Sequence, residues 1–113
     1  VSETRVCIST AILQTKPVKG QYRRNLKAAG EAFAQLAQDP PDLVVLPEAA
    51  LTGYFLEGAV YDLALSAPQF ARDLAETWRE ACAGRSVDLV SGFYENDAGT
   101  YYNSAVYVHV EPD

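Results

Sequence analysis

Leu43-Val44-Val45-Leu46 narrows the fold more than any other stretch of this chain. It is a continuous apolar run with Asp39-Pro40-Pro41-Asp42 in front of it and Pro47 behind. So short a run between breakers is a strand, and one without polar alternation reads as covered on both faces, as in a layered α/β fold. The neighbouring segments fit that reading. Arg5 to Leu13 (RVCISTAIL) is rich in apolar and β-branched residues and predicts a buried strand. Pro17 and Gly20 break the chain, and from Tyr22 the period changes. Tyr22, Leu26, Ala29, Phe33, Leu36 and Ala37 step by three or four, which predicts a helix with one apolar face.

The second half continues the pattern. A short helix is expected between Gly58 and Leu65, with Asp62 and Glu57 on its polar side. Ser66 is a candidate cap for a further helix with Pro68 in its first turn. Phe70, Leu74, Trp78 and Cys82 recur every fourth residue as its buried stripe, and Gly84 stops it. Val87 to Tyr94 and Thr100 to Val110 predict two more strands. Tyr102, Val106, Val108 and Val110 would share one face, and Glu95-Asn96-Asp97-Ala98-Gly99 would form a five-residue hairpin loop. The order is strand, helix, strand, short helix, helix, strand, strand: α/β with a mixed sheet, in one domain. The 113 residues suffice for one compact unit and no more.

Composition excludes several functions. With 9 Lys+Arg against 15 Asp+Glu, the net charge is −6 and no basic stripe exists to attract nucleic acid or an anionic membrane. No apolar run is long enough to span a bilayer, and no secretory signal is visible. Cys7 and Cys82 make no CxxC pair, and one His does not complete a common zinc site, so neither a metal nor a cofactor is expected. Both cysteines read as small buried hydrophobes in a reduced, cytoplasmic protein. His109 reads as a packed or solvated imidazole, and Asn103 as an amide bonded to hairpin backbone.

In open α/β sheets reactive groups collect where strands end and loops begin. Glu48 occupies that place after Leu43–Leu46, with Pro47 fixing the backbone before it. Flanked by apolar layers, a carboxylate loses hydration and becomes a better proton acceptor near neutral pH. Taken alone, a Glu after a buried strand is more often an ordinary loop or helix-start carboxylate.

The stretch Leu43-Val44-Val45-Leu46-Pro47-Glu48-Ala49-Ala50-Leu51-Thr52-Gly53-Tyr54 resembles the glutamate-bearing segment of the nitrilase, or carbon–nitrogen hydrolase, superfamily. Three further parts agree in order: the opening strand with Gln14 after it, the helix start Tyr22-Arg23-Arg24-Asn25-Leu26, and the hairpin Gly92-Phe93-Tyr94-Glu95 to Tyr102-Asn103-Ser104-Ala105. The resemblance covers essentially the whole chain. It implies the N-terminal half of an αββα sandwich. It also implies a Glu–Lys–Cys triad in which a cysteine thiolate attacks an amide or nitrile carbon, the glutamate is general base and the lysine stabilises the oxyanion.

Only the glutamate carries over, onto Glu48. Tyr54 matches the motif tyrosine, either as pocket wall or as an aromatic packed under a loop. Gly53 permits a tight backbone. Glu95 is a second candidate, either a carboxylate lining the substrate site or a solvated residue at the hairpin mouth. Lys16, Lys19 and Lys27 do not match the lysine position, nor Cys7 and Cys82 the nucleophile. Residues 1–113 are therefore expected to be the N-terminal portion of a single nitrilase-like domain, inactive alone and paired with a missing C-terminal half. The expected substrate is a small amide or nitrile, and the resemblance implies homo-oligomers. The alternatives are a non-catalytic binding or complementing module and the glutaminase portion of an ammonia-transferring synthetase. A flavodoxin-like domain fits the alternation of elements but not the PE-x-x-LTGY segment.

Overall fold

The computed structural model describes residues 6–54 and 57–112. Its elements run β1 (Thr10–Ile12), α1 (Tyr22–Ala34), β2 (Leu43–Val45), a 3₁₀ turn (Glu57–Ala59), α2 (Val60–Leu63), α3 (Ala67–Ala81), β3 (Val87–Asp97) and β4 (Thr100–Val110). They form one four-stranded sheet in the order β1-β2-β3-β4. β1, β2 and β3 are parallel, and β4 returns antiparallel to β3, with Val87 opposite Val110 and Asp97 opposite Thr100. The mixed α/β sheet is thus as the sequence predicts.

The two parallel connections step in the same direction across the sheet. Right-handed crossovers then put α1 and α3 on the same side. Phe33 of α1 and Phe70, Leu74 and Trp78 of α3 pack there with Val44, Leu89 and Phe93 of the sheet. Phe33 meets Trp78 edge to face at 5.3 Å, and Phe70 stacks on Phe93 at 4.5 Å. Ser66 caps α3, its Oγ accepting from the Gln69 N–H at 3.3 Å. Gly84, with φ +79°, turns the chain out of it.

Among the described residues, neither α1 nor α3 lies on the opposite sheet face. Val44 is fully buried, but its neighbours Leu43 and Val45 are only half-buried and Ile12 is 69% exposed. Among the described residues β2 is therefore covered on one face only, as half of a sandwich leaves it: an apolar run records what a strand tolerates, not which layer lies above it. The first strand is shorter than expected, since only Thr10–Ile12 pair with β2, and Arg5 lies outside the described residues. Cys7 is exposed rather than buried, because it precedes the paired segment. Cys82 is buried as expected: its Sγ lies 3.2 Å from the Phe33 carbonyl, and burial pushes the thiol up from its ordinary value. Helix α1 ends at Ala34, before Leu36 and Ala37, which lie in turns. Asp62 is exposed on α2, and the Glu57 side chain lies outside the described residues.

The hairpin loop is two residues rather than five. Glu95, Asn96 and Asp97 continue β3, and only Ala98 and Gly99 turn, with φ +50° and +91°. Positive φ at both central residues is the type I′ pattern, whose twist matches that of paired strands. Asn96 Oδ1 accepts from the Gly99 N–H at 2.9 Å and fixes the turn.

Asn25 ties the loops around the site to the helix layer. It is buried, its Oδ1 accepts from the Val18 N–H at 2.7 Å, and its Nδ2 donates to the Val18 and Leu51 carbonyls at 2.8 Å each. Asn25→Leu would strand those backbone groups away from water, so it is expected to cost about 3 kcal/mol. Urea unfolding of the variant checks this; a loss below about 1 kcal/mol would mean that water replaces the amide. A second, part-buried tie holds α1 to α3: the Tyr22 hydroxyl donates to Asp73 Oδ2 at 2.6 Å, and within α3 Gln69 Nε2 donates to Asp73 Oδ1 at 2.8 Å. Burial, and then the Asp73 carboxylate, push the Tyr22 phenol up.

Candidate functional site

Leaving β2, the chain passes Leu46, whose N–H donates to the Val90 carbonyl at 2.8 Å, and turns at Pro47. Glu48 follows at the carboxyl end of the strand. The turn closes through Ala49, whose carbonyl accepts from the Gly53 N–H at 2.8 Å. Ala49 has φ +52°, a left-handed conformation that costs a residue with a Cβ roughly 1 kcal/mol. It is held there by burial, together with Ala50 and Leu51. Gly53 has φ +81° and lies so near Lys19 that a Cβ would be 3.3 Å from the Lys19 Cα. The tight backbone expected of Gly53 is thus found, and its contact is with the loop that Asn25 secures.

Glu48 emerges on the helix-free face of the sheet. There it borders an open cleft of about 400 Å³ whose walls include Leu46, Val90, Gly92, Asn103 and Ala105. The carboxylate is exposed rather than shielded, since no second layer stands over this face among the described residues. Asn103 Nδ2 donates to Glu48 Oε1 at 2.5 Å. This corrects the expected backbone role of Asn103. β4 brings Asn103 opposite Tyr94, on the same face as Glu48. Gly92 lies directly beneath: a Cβ there would be 2.7 Å from the Glu48 Cα.

Tyr94 also belongs to this neighbourhood. Burial, then the Glu48 carboxylate and then Tyr54 push its phenol up from the ordinary value. Tyr54 is 46% exposed, at the end of the Glu48 turn. Glu95 goes elsewhere. Side chains alternate along β3, so Glu95 leaves on the side opposite Tyr94, where Ser104 Oγ donates to its Oε1 at 2.7 Å. Sequence reasoning did not single out Gly92 or Tyr94. A glycine inside a strand, two residues from the Tyr94–Asn103 pair, is the signal for close backbone approach.

At the other end of the same face, His109 is bracketed by carboxylates. Its Nδ1 pairs with Asp88 and its Nε2 with Glu111 at 2.5 Å, while the Tyr107 hydroxyl bonds the other Asp88 oxygen. The imidazole is solvent-exposed, one of the two expected settings, and it is also hydrogen-bonded on both ring nitrogens. The Asp88 and Glu111 bonds raise the His109 pKa; the bonds from Tyr107 and then His109 lower that of Asp88. A raised imidazole stabilises the fold below its unfolded value and loses that effect as pH rises through the folded value. A lowered carboxylate contributes above its unfolded value and loses it as pH falls through the folded one. The cluster should therefore contribute most between about pH 4 and 6.5. The thermal midpoint of His109→Gln, followed against pH, should fall below that of the unaltered protein in this window and converge with it above. A constant gap would contradict the assignment.

A family model described as carbon-nitrogen hydrolase matches residues 9–111. The chain belongs to the carbon–nitrogen hydrolase family. Solved structures agree with this family fold. An N-terminal amidase with a Gln-Gly peptide superposes with a TM-score of 0.70 at 24% identity, covering 90% of this chain and 25% of the amidase. A carbon–nitrogen hydrolase superfamily protein from Xanthomonas campestris, with an arsenic adduct in its active site, gives 0.73 at 17% identity, covering 89% and 36%. A glutamine-dependent NAD⁺ synthetase from Acinetobacter baumannii gives 0.68 at 23% identity, covering 89% and 18%. No curated protein sequence matches significantly. The chain thus spans about a quarter of the length of the amidase. The four-stranded mixed sheet with helices on one side is consistent with half of the αββα sandwich of this family. Among the described residues, no group of His, Cys, Asp and Glu is arranged to hold a metal ion, and no helix is long and apolar enough to cross a membrane.

Proposed function

We propose that this carbon–nitrogen hydrolase chain supplies the general base of an amidase-like reaction on a non-peptide C–N bond, and that Glu48 is that base. The observation that carries the reading is the position of Glu48: at the carboxyl end of β2, on the helix-free face, beside an open cleft and bonded to Asn103. Residues 1–113 form the N-terminal portion of one domain, and the lysine and cysteine come from sequence outside them. The C-terminal half lies over the face that exposes Ile12 and Tyr107. The assembled protein is a cytoplasmic homo-oligomer.

In the reaction, Glu48 takes the proton of the cysteine thiol, and the thiolate attacks the amide carbon. The lysine holds the oxyanion. Collapse of the tetrahedral species expels ammonia or an amine, which takes the proton back from Glu48. Water, deprotonated by Glu48, then attacks the thioester and releases the carboxylic acid and the thiol. Tyr54 and Tyr94 line the approach to the carboxylate. Glu95 acts as a second carboxylate only if the assembled domain turns it from its present side.

A glutaminase that passes ammonia to a synthetase is the second reading. It draws support from the likeness to glutamine-dependent NAD⁺ synthetase. Both readings are tested by ammonia release from the full-length protein supplied with glutamine, small primary amides, a nitrile and a dipeptide bearing N-terminal glutamine. Acid quenching should trap a cysteine acyl adduct visible by mass. Release from glutamine alone selects the second reading; no release from any of them overturns both.

A further inference from the structure

We propose that Asn103 is a positioning residue for Glu48: it holds one carboxylate oxygen so that the other is presented for proton transfer. This rests on the reading of Glu48 as general base.

The contact spans the molecule in sequence. Glu48 follows β2, and Asn103 lies 55 residues later in β4. Three features make it a built arrangement. Asn103 sits within the long β3–β4 ladder, opposite Tyr94, so its backbone is fixed by strand pairing on the Glu48 side of the sheet. The strand between them carries Gly92, whose missing side chain lets the Glu48 backbone settle onto β3 within reach of β4; any Cβ would stand 2.7 Å from the Glu48 Cα. The turn that presents Glu48 is held in a left-handed conformation at Ala49 and pinned through Leu51 to Asn25. Glu48 therefore has little backbone freedom, and its remaining freedom is side-chain rotation.

The Asn103 amide removes that freedom. Its Nδ2 donates to Oε1 at 2.5 Å, and an amide N–H can only donate. The bond occupies Oε1, so proton transfer falls to Oε2. A base held in one orientation avoids the loss that misplacement imposes on proton transfer.

The test uses the full-length protein and compares Asn103→Asp, Asn103→Ala and Glu48→Gln. Asn103→Asp keeps the shape but replaces the donor with an acceptor beside a carboxylate. With the amide or nitrile turned over fastest, kcat should fall about tenfold or more in Asn103→Asp and Asn103→Ala, with KM within about twofold. A purely structural role would lower the thermal midpoint and leave kcat of the folded protein in place. Independently of turnover, the side-chain order of Glu48, read by NMR relaxation in ¹³C-glutamate-labelled protein, should fall in Asn103→Ala relative to the unaltered protein.

Unchanged side-chain order of Glu48 in Asn103→Ala overturns the proposal whether or not a substrate is found. If Glu48→Gln is inactive while the Asn103 variants keep the rate, positioning fails and the base assignment stands. Full activity in Glu48→Gln instead defeats the base assignment itself.

Discussion

Glu48→Gln in the full-length protein is expected to lower kcat by about a thousandfold while leaving the cooperative thermal transition in place. The substitution retains the side-chain length and an Oε1 that still accepts from Asn103. It removes only the capacity to take and return a proton. Glu48 is exposed at the surface of the described residues, so no core packing depends on its charge. Proton transfer by a placed side chain accelerates reactions by roughly 10²–10⁴, which sets the scale of the loss. Steady-state rates together with a melting curve check both halves of the expectation. A variant that retains more than a tenth of the rate would exclude Glu48 as the base.

Gly92→Ala should combine a stability loss with a loss of rate. The added methyl would stand 2.7 Å from the Glu48 Cα and 3.4 Å from the Ala49 nitrogen. Both are backbone atoms, so no side chain can rotate away, and the Glu48 turn must lift from β3. Overpacking of this kind costs about 2 kcal/mol. The displacement also carries the carboxylate away from Asn103, and a shift near 1 Å at a reacting group costs on the order of 100-fold in rate. Urea unfolding and kcat measured on the same preparation distinguish this from a general packing defect. Gly30→Ala is the control. Its Cβ would meet only the Thr77 methyl at 3.2 Å, far in the fold from the site, so it should affect stability without the rate penalty. Equal rate losses in both variants would refute the local account.

Much of the fold was legible because the decisive signals are periodic. The stripe Phe70, Leu74, Trp78 and Cys82, the Ser66 cap and the β2 run each follow from local chemistry. The hairpin loop was overlong in the sequence because Glu95, Asn96 and Asp97 are turn-favouring residues by composition, yet here they keep strand pairing with β4. Asn96 and Glu95 are further held by Leu65, which pairs beside them. No local rule predicts a left-handed alanine, so the strained Ala49 and Ala98 were out of reach. The placement of Glu48 after a strand was legible. Its bond to Asn103 was not, because it depends on the register of two strands far apart in sequence. The bare face of the sheet follows from the half-sandwich that the family resemblance implies, not from the apolar run, which reads the same with one layer over it or two.

That both crossovers step the same way has a practical corollary for anyone seeking a hardier protein. Phe33, Leu74 and Trp78 lie on one side of the sheet, while Glu48 and Asn103 lie on the other. Substitutions well separated in space combine nearly additively. Heat tolerance can therefore be evolved within the two long helices, Asn25 apart, by ordinary repacking, with turnover left as an independent trait to be tuned across the sheet.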